Sequence, residues 1–277
     1  MSPLSLLGTI VIDLDPNVAR IGPLLITWHG VFSVIGILAT IRLAQVLLPQ
    51  DGISGATVWD LAGWMILIGL IGARLLFVWE NYQQFTGQWL NVFALTEGGI
   101  SQWGGLFGAM LAAFWQARRR GLSFGRILDA AGPGAMLGLA IGRIGDIING
   151  EHHATVTNLP WAVEYVNPLT LGERYLPVHP EVGYELVWCL LLLAALLPFH
   201  QRLRRALPAG AIGLLYLGLY AFGRFWLSYV RINSLVFGLR QAQWASLLMV
   251  VIAVVGLAYL LWQRRAAPKS SLATVTA

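Results

Sequence analysis

Almost every kind of polar side chain occurs in one short segment of an otherwise apolar chain, residues 141–165 (IGRIGDIINGEHHATVTNLPWAVEY). Its first half combines a guanidinium, two carboxylates, an amide and two imidazoles. Groups of these types bind anions, move protons or ligate metals. The planar arginine fork matches phosphate and carboxylate and stays charged at any cellular pH. The segment therefore predicts an anion site centred on Arg143, with acids and amides that position it. The polar residues gathered here are Arg143, Asp146, Asn149, Glu151, His152 and His153.

Three further arginines lie in or near the ends of apolar runs: Arg74, Arg224 and Arg231. An arginine at the bilayer midplane costs roughly 2.5–3.5 kcal/mol on insertion scales, so it usually faces a polar interior with a partner. Snorkelling to the interface accounts for Arg231. It accounts less well for Arg143, because Asp146 follows one helical turn later. In a bilayer, the abundant anion for such an arginine cluster is a phospholipid headgroup.

The elements that position these residues are predicted to be membrane helices. The chain has 277 residues, of which 57% are hydrophobic and 11% are charged, about half the charged fraction of a soluble domain. Several apolar runs approach the ~20 residues that cross a bilayer. We predict an all-α integral membrane protein with seven transmembrane helices, at about residues 23–47, 60–80, 99–117, 127–149, 183–200, 210–230 and 242–262.

Basic residues predict the orientation of these spans. They follow the third, fifth and seventh spans, whereas the loop 150–182 is mainly acidic. By the positive-inside rule, the N-terminus is expected outside and the C-terminus in the cytoplasm. The net charge of +5 then reflects anchoring to anionic lipid and does not require nucleic acid. The basic residues are Arg118, Arg119, Arg120, Arg126, Arg202, Arg204, Arg205, Arg264, Arg265 and Lys269.

A single membrane domain is expected over residues 1–265, followed by a disordered cytoplasmic tail, residues 266–277. The loop 150–182 is long for a helix connection. Its LPWAVEY piece predicts a short strand or hairpin, in a small extracytoplasmic head. Residues 1–12 lack the basic region of a cleavable signal peptide, so the first span is expected to be a mature helix. The single cysteine, Cys189, excludes an intrachain disulfide.

Glycines crowd the third and fourth predicted spans, and two interpretations remain open. Small residues let membrane helices approach each other closely, which accounts for most of these glycines. In EGGISQWGG, residues 97–105, paired glycines beside polar residues also suggest a broken helix that lines a cavity.

Six motifs, taken in order, resemble those of the bacterial phosphatidylglycerol–prolipoprotein diacylglyceryl transferases. The most specific is GRIGDIINGE, residues 142–151, and together the motifs cover about residues 22–231. The others are GPLLITWHGV, LIGARLLF, EGGISQWGGLFG, LPVHPEVGYEL and FGRFWLSYVR. The family has the same seven-span topology with its N-terminus outside, and an outer head over the active site.

The resemblance implies a reaction in the bacterial plasma (inner) membrane, at the extracytoplasmic leaflet. Such enzymes transfer the diacylglyceryl group of phosphatidylglycerol to the thiol of a lipobox cysteine in a preprolipoprotein, the first step of lipoprotein maturation. The products are a thioether and glycerol phosphate, and no metal or organic cofactor takes part. The protein must therefore hold a phosphate, deprotonate a thiol and stabilise charge on the departing phosphate.

The motifs carry site residues over by position. Arg143 matches the arginine assigned to the lipid headgroup, and Arg224 matches a second arginine that could neutralise the leaving phosphate. With the chemical candidates added, the expected catalytic residues are Arg143, Arg224, His29, Asp146 and Glu151. The expected substrate-binding residues are Arg143, Arg74, Asn149, Gly150, Trp103, Gly104, Gly105, His179, Tyr184 and Arg231.

Several positions depart from the family pattern and leave the general base unassigned. Trp103 replaces a histidine that is the proposed base in many members. His29 replaces a common tyrosine, Asp146 a common asparagine, and Ser228 a glutamate usual between the sixth-span arginines. His29 is one candidate base because its imidazole titrates near neutrality. The adjacent loop histidines, water or the substrate phosphate are the others.

Other functions remain open at this stage. A metal site could form from His152, His153, His179 and Glu151. A transporter would also bury charge, but it commonly shows internal repeats, and none is visible here. A retinal receptor is excluded because the only lysine, in the tail, could not form a Schiff base within a span. A catalytically inactive relative that binds phospholipid or serves as a structural subunit would also fit the departures.

Overall fold

The computed structural model describes residues 8–22, 24–87, 89–93, 99–151 and 153–266. Within these ranges the chain is mostly helical, with short strands at one end of the helix bundle. The helices are α1 (Trp28–Leu47), α2 (Gly55–Glu80), α3 (Gln102–Arg120), α4 (Phe124–Asn149), α5 (Glu181–Leu196), α6 (His200–Ala206), α7 (Ala211–Leu227) and α8 (Gln241–Ala266). The strands are β1 (Ile10–Ile12), β2 (Asn17–Ile21), β3 (Leu24–Thr27), β4 (Val163–Tyr165), β5 (Leu235–Val236) and β6 (Leu239–Arg240).

Six helical segments of the described chain are long and apolar enough to cross a membrane, which confirms the membrane-protein class. Helix α3 is not among them. Two glutamines and the terminal arginines Arg118, Arg119 and Arg120 make it more polar, so its crossing stays a prediction. The six segments are Trp28–Asp51, Gly55–Glu80, Phe124–Asn149, Glu181–Ala206, Ala211–Val230 and Gln241–Ala266.

The first helix begins later than the sequence predicts. Strands β2 and β3 form an antiparallel hairpin, so the apolar residues of β3 belong to a sheet. Helix α1 then begins at Trp28 rather than at residue 23. Thr27 caps it, because its hydroxyl accepts a hydrogen bond from the Gly30 amide at 3.2 Å.

Close glycine contacts hold the helices in pairs: α1 with α4, α2 with α3, and α7 with α8, while α4 also packs on α5 and α7. A Cβ added to Gly36 would lie 2.6 Å from the Gly138 carbonyl oxygen, and one on Gly104 would lie 2.2 Å from that of Gly72. These approaches are possible only without a side chain. For these glycines the packing interpretation is confirmed. The first two residues of EGGISQWGG, Glu97 and Gly98, and the tail 267–277 lie outside the described residues.

Ion pairs join the helix ends at the arginine-rich end of the bundle. Arg204 of α6 contacts Asp51 at 2.5 Å, and Arg126 of α4 lies 3.4 Å from the same carboxylate. Asp129 accepts hydrogen bonds from the backbone amides of Gly210 and Ile212, at the beginning of α7. These contacts fix the relative positions of α1, α4, α6 and α7.

The head covers the opposite end of the bundle and is tied to helix α4. Its predicted strand forms as β4, which pairs in parallel with β1; the sequence did not predict β1. The Tyr165 hydroxyl donates to the Ile147 carbonyl at 2.8 Å, and the Thr170 hydroxyl donates to the Asn149 carbonyl at 3.1 Å. Burial raises the pKa of Tyr165 to about 12, so this donor stays protonated.

Candidate functional site

Four helix ends meet beneath the head, and each contributes charged side chains. Helices α1 and α5 begin there, and helices α4 and α7 end there. Polar groups this close to apolar helices need partners of opposite charge. The charged side chains that the helix ends contribute are His29 from α1, Arg143 and Asp146 from α4, Glu181 and Glu185 from α5, and Arg224 from α7.

Arg143 lies at the centre of this site. Its Nη1 donates to Asp146 Oδ2 at 2.5 Å, and its Nη2 lies 2.9 Å from Glu185 Oε2. The first partner is three residues away on α4, a spacing that places two side chains on the same helix face. The Arg143 side chain is 15% exposed. Its guanidinium is thus held between two helices while part of it stays accessible.

Arg224, on helix α7, contacts the same carboxylate, that of Glu185. Its Nη1 lies 3.0 Å from Glu185 Oε2 and also contacts Glu181. The Tyr220 hydroxyl donates to the other oxygen of Glu185 at 2.6 Å. Glu185 is fully buried. One carboxylate therefore fixes the two arginines beside each other.

Arg231 extends the site beyond α7. Its Nε lies 3.7 Å from Glu181 Oε2, and burial lowers the pKa of Arg231. The contacts now form one continuous series of alternating charges, which we call the ion-pair chain. In order, it contains His29, Asp146, Arg143, Glu185, Arg224, Glu181 and Arg231.

His29 forms the α1 end of the ion-pair chain. Its Nδ1 contacts Asp146 Oδ1 and lies 3.5 Å from Glu151 Oε2. Asn149 donates to the other Glu151 oxygen at 2.7 Å. Gly150 makes this turn possible, because it has a left-handed φ of 68° and a Cβ there would lie 2.5 Å from the Thr170 hydroxyl.

The His29 end could also hold a cation. One ligand atom each from His29, Asp146 and Glu151 lie within 4.8 Å of one another, and these are ligand types that metals accept. However, the guanidinium of Arg143 contacts the second Asp146 oxygen, so a metal ion would be placed beside a fixed positive charge. The geometry favours a hydrogen-bonded imidazole over a metal ligand.

Four predicted substrate-binding residues lie at the α2–α3 contact, outside the ion-pair chain. Arg74 donates to the backbone carbonyls of residues 91, 92 and 99 and so anchors the segment before α3. Gly104 and Gly105 face α2. Trp103 packs beside Phe107 on α3, with ring centroids 6.3 Å apart. Substrate contacts by these residues stay predictions.

Two of the described histidines, His153 and His179, lie in the head. His179 Nδ1 lies 3.2 Å from the Tyr184 hydroxyl, which accepts a hydrogen bond from Trp161. His153 Nδ1 lies 3.8 Å from a carboxylate oxygen of Glu173. His152 lies outside the described residues. The described members of the proposed four-residue metal site thus have separate partners.

Two acids that bridge the arginines, Glu181 and Glu185, and Tyr220 were not predicted as site residues. In the sequence, Glu185 was only part of a motif, and Glu181 was only one charge of the acidic loop. A usable signal was present: Glu181 and Glu185 are four residues apart at the beginning of an apolar span, so both carboxylates face the same side of a helix. Tyr220 gave no comparable signal.

Comparison with known protein families gives one match that covers most of the chain. Residues 16–259 match the sequence model of the family described as prolipoprotein diacylglyceryl transferase. The chain belongs to this family. The resemblance found in the six motifs is therefore confirmed.

Individual relatives match over nearly their whole length, and each is called phosphatidylglycerol–prolipoprotein diacylglyceryl transferase. The protein from Gloeobacter violaceus is 37% identical over 250 residues, covering 88% of this chain and 92% of the relative. Those from Synechococcus elongatus and Synechocystis are each 34% identical; the alignments cover 97% and 88% of this chain, and 95% and 89% of the relatives. Most of the transferase chain is thus represented here.

Proposed function

We propose that this transferase moves the diacylglyceryl group of phosphatidylglycerol to the lipobox cysteine thiol of a prolipoprotein and releases glycerol phosphate. Family membership and the names of the relatives support the two substrates. The observation that carries the proposal is that Arg143 and Arg224 contact the same oxygen of Glu185, Oε2. Two guanidiniums held side by side suit the oxygens of one phosphate.

The arginines bind the phosphodiester and then stabilise the leaving group. As the carbon–oxygen bond breaks, negative charge grows on the phosphate oxygen. Arg143 and Arg224 are already aligned by Glu185, so little reorganisation is needed. The incoming phosphate shares these cations with the resident carboxylates.

The smaller contacts surround this centre. Asn149 and Gly150 shape the end of α4, while His29, Asp146 and Glu151 form the edge at α1. The other predicted contacts surround the lipid or the peptide farther out. They are Arg74, Trp103, Gly104, Gly105, His179, Tyr184 and Arg231. The reaction as proposed uses no metal and no organic cofactor.

The proposed topology places the site at the outer leaflet of the bacterial plasma membrane. With helix α3 crossing as well, the chain has seven spans, and the N-terminus lies outside. In support, the arginine-rich helix ends lie opposite the ion-pair chain: α3 and α8 end in arginines. Positive residues concentrate on the cytoplasmic side of membrane proteins. The head, residues 150–182, then covers the site from outside and receives the peptide.

The test is transfer by the purified protein in phosphatidylglycerol-containing detergent, with a lipobox peptide as acceptor. Wild-type protein should release glycerol phosphate only when the peptide contains its cysteine. Arg143→Ala and Arg224→Ala should each reduce release by at least about 100-fold, as expected for loss of a transition-state charge partner. The control is Arg119→Ala, which removes an exposed arginine at the end of α3.

The outcomes separate the transferase from an inactive relative. Release that depends on the peptide cysteine and on both arginines supports the proposal. A folded wild-type protein that retains bound phosphatidylglycerol but releases nothing would instead be a lipid-binding or structural relative. Near-normal turnover by either arginine variant would refute the phosphate site.

A further inference from the structure

We infer that His29 is the general base that takes the proton from the substrate thiol, and that Asp146 is its positioning residue. This inference rests on the proposed transferase function and assigns the proton-transfer step to one atom, His29 Nε2. The observation that supports this inference is the contact between His29 Nδ1 and Asp146 Oδ1 at the end of the ion-pair chain.

The contact fixes which ring nitrogen is available. An ionised carboxylate only accepts hydrogen bonds, so Nδ1 of the neutral ring must carry the proton that it donates to Asp146. The lone pair then lies on Nε2. The His29 side chain is 46% exposed, so a thiol can approach the ring. The same ring lies next to the phosphate site, because Asp146 also contacts Arg143.

Other charged groups around His29 strengthen the assignment. Glu151 lies 3.5 Å from Nδ1, so two carboxylates stabilise the imidazolium once it forms. Arg143 is the opposing positive charge, but it is engaged by Asp146 and Glu185. These groups come from α4 and the residue that follows its C-cap, the elements packed against the beginning of α1 at this point.

Competing bases on the described chain are poorer. Trp103 has no proton acceptor, since the indole nitrogen is only a donor. Glu181 and Glu185 are buried and already paired with arginines, so a thiol reaches them less readily than the half-exposed ring of His29. His153 lies in the head beside Glu173. Among the described histidines, His29 is the one that belongs to the ion-pair chain.

The proposed step moves one proton and replaces a carbon–oxygen bond with a carbon–sulfur bond. The thiol S–H bond breaks and its proton goes to His29 Nε2. The thiolate forms a carbon–sulfur bond to the glyceryl carbon of the lipid, and the carbon–oxygen bond to phosphate breaks with its electron pair on that oxygen. Glycerol phosphate leaves from Arg143 and Arg224. The imidazolium then returns its proton to the leaving phosphate or to water.

Three His29 variants test the base. His29→Phe should lower kcat by about 10²–10⁴-fold, the usual contribution of a general base, and should remove the fall in rate at low pH that protonation of His29 causes. His29→Ala should recover part of the lost activity when imidazole is added. His29→Gln provides a non-basic variant if the phenylalanine variant does not fold, and His153→Phe is the matched control.

The positioning role is tested by a double-mutant cycle. Asp146→Asn should lower kcat in the wild-type background but much less in the His29→Phe background, because the two residues act as one unit. The loss that remains measures the contact of Asp146 with Arg143. Equal losses in both backgrounds would overturn the positioning role.

The remaining outcomes decide between the inference and its alternatives. An active wild type whose His29 variants retain its rate and pH profile would exclude the base and leave the transferase intact. If a chelator abolished activity and a divalent cation alone restored it, His29, Asp146 and Glu151 would form a metal site. That result would overturn the inference. A wild-type protein that shows no transfer at all would instead contradict the proposed function itself.

Discussion

Glu185 is the residue on which the proposed phosphate site depends most directly. It is fully buried and contacts both arginines and the Tyr220 hydroxyl. A buried carboxylate remains charged only when such partners compensate for its lost hydration. Its Oε2 contacts both guanidiniums and so keeps Arg143 and Arg224 beside each other, while Oε1 accepts the hydrogen bond from Tyr220.

Replacing this carboxylate should damage stability and activity together. Glu185→Gln keeps the size of the side chain but leaves two arginines with less compensation. We expect the free energy of unfolding to fall by about 3 kcal/mol, the lower end for a buried ion pair that loses one partner. Transfer should fall at least tenfold, since each ~1.4 kcal/mol of lost transition-state stabilisation is a factor of ten. Thermal unfolding in detergent and glycerol phosphate release measure the two effects.

A matched control separates burial from charge. Glu173→Gln makes the same change on a side chain of the head that is 49% exposed, and it should alter neither quantity. Tyr220→Phe, which removes only one donor to Glu185, should give a smaller loss than Glu185→Gln. Wild-type turnover by Glu185→Gln would show that the arginines do not need this bridge.

At the residue scale, the sequence predicted single members of the site but not their pairing. Arg143 and Asp146 were predictable together because they are one helical turn apart on the same helix. The contact of Asp146 with His29 joins residues 117 positions apart, and the contact of Arg224 with Glu185 joins different helices. Such pairings depend on how the helices pack, which the local pattern does not contain.

At the scale of elements, glycine contacts determine how near the helices lie. A Cβ added to Gly145 would lie 2.7 Å from the His29 Cα. This glycine therefore lets α1 approach α4 closely enough for His29 to reach Asp146. The α2–α3 pair uses the same principle at Gly72 and Gly104, where small residues bring two backbones together.

The α2–α3 contact offers a clean test on one helix. Gly72→Ala places a Cβ 2.5 Å from the Gly104 carbonyl oxygen, so the helices must separate, at a cost of about 1–3 kcal/mol. Gly63→Ala adds the same methyl to the same helix where nothing lies within 4 Å. We expect a lower midpoint of thermal unfolding for the first variant only. Equal midpoints would show that the two helices are not closely packed.

Helix positions were predictable because long apolar runs have few other structures available in a bilayer. The beginning of α1 was less predictable, because the first apolar residues of the predicted span form strand β3 of a hairpin. Strand β1 was missed because its partner β4 is about 150 residues away. Short strands completed by distant partners leave little local pattern.

At the scale of the whole molecule, the chain separates two kinds of charge. The ion-pair chain and the head lie at one end of the bundle, and the arginine-rich helix ends lie at the other. Asp51 joins two of those arginines, Arg126 and Arg204. The fold thus places the proposed anion site and the arginine-rich helix ends at opposite ends of the helix bundle.

This separation predicts which side of the membrane each end faces. Cys189 is the only cysteine and is fully buried, so a Cys189→Ala background allows single reporters. Glu173→Cys in the head should react with a membrane-impermeant maleimide in right-side-out vesicles. Arg205→Cys on α6 should react only in inverted vesicles, because positive residues stay in the cytoplasm. The reverse labelling pattern would place the ion-pair chain at the inner leaflet, where it could not meet a lipobox cysteine presented from outside.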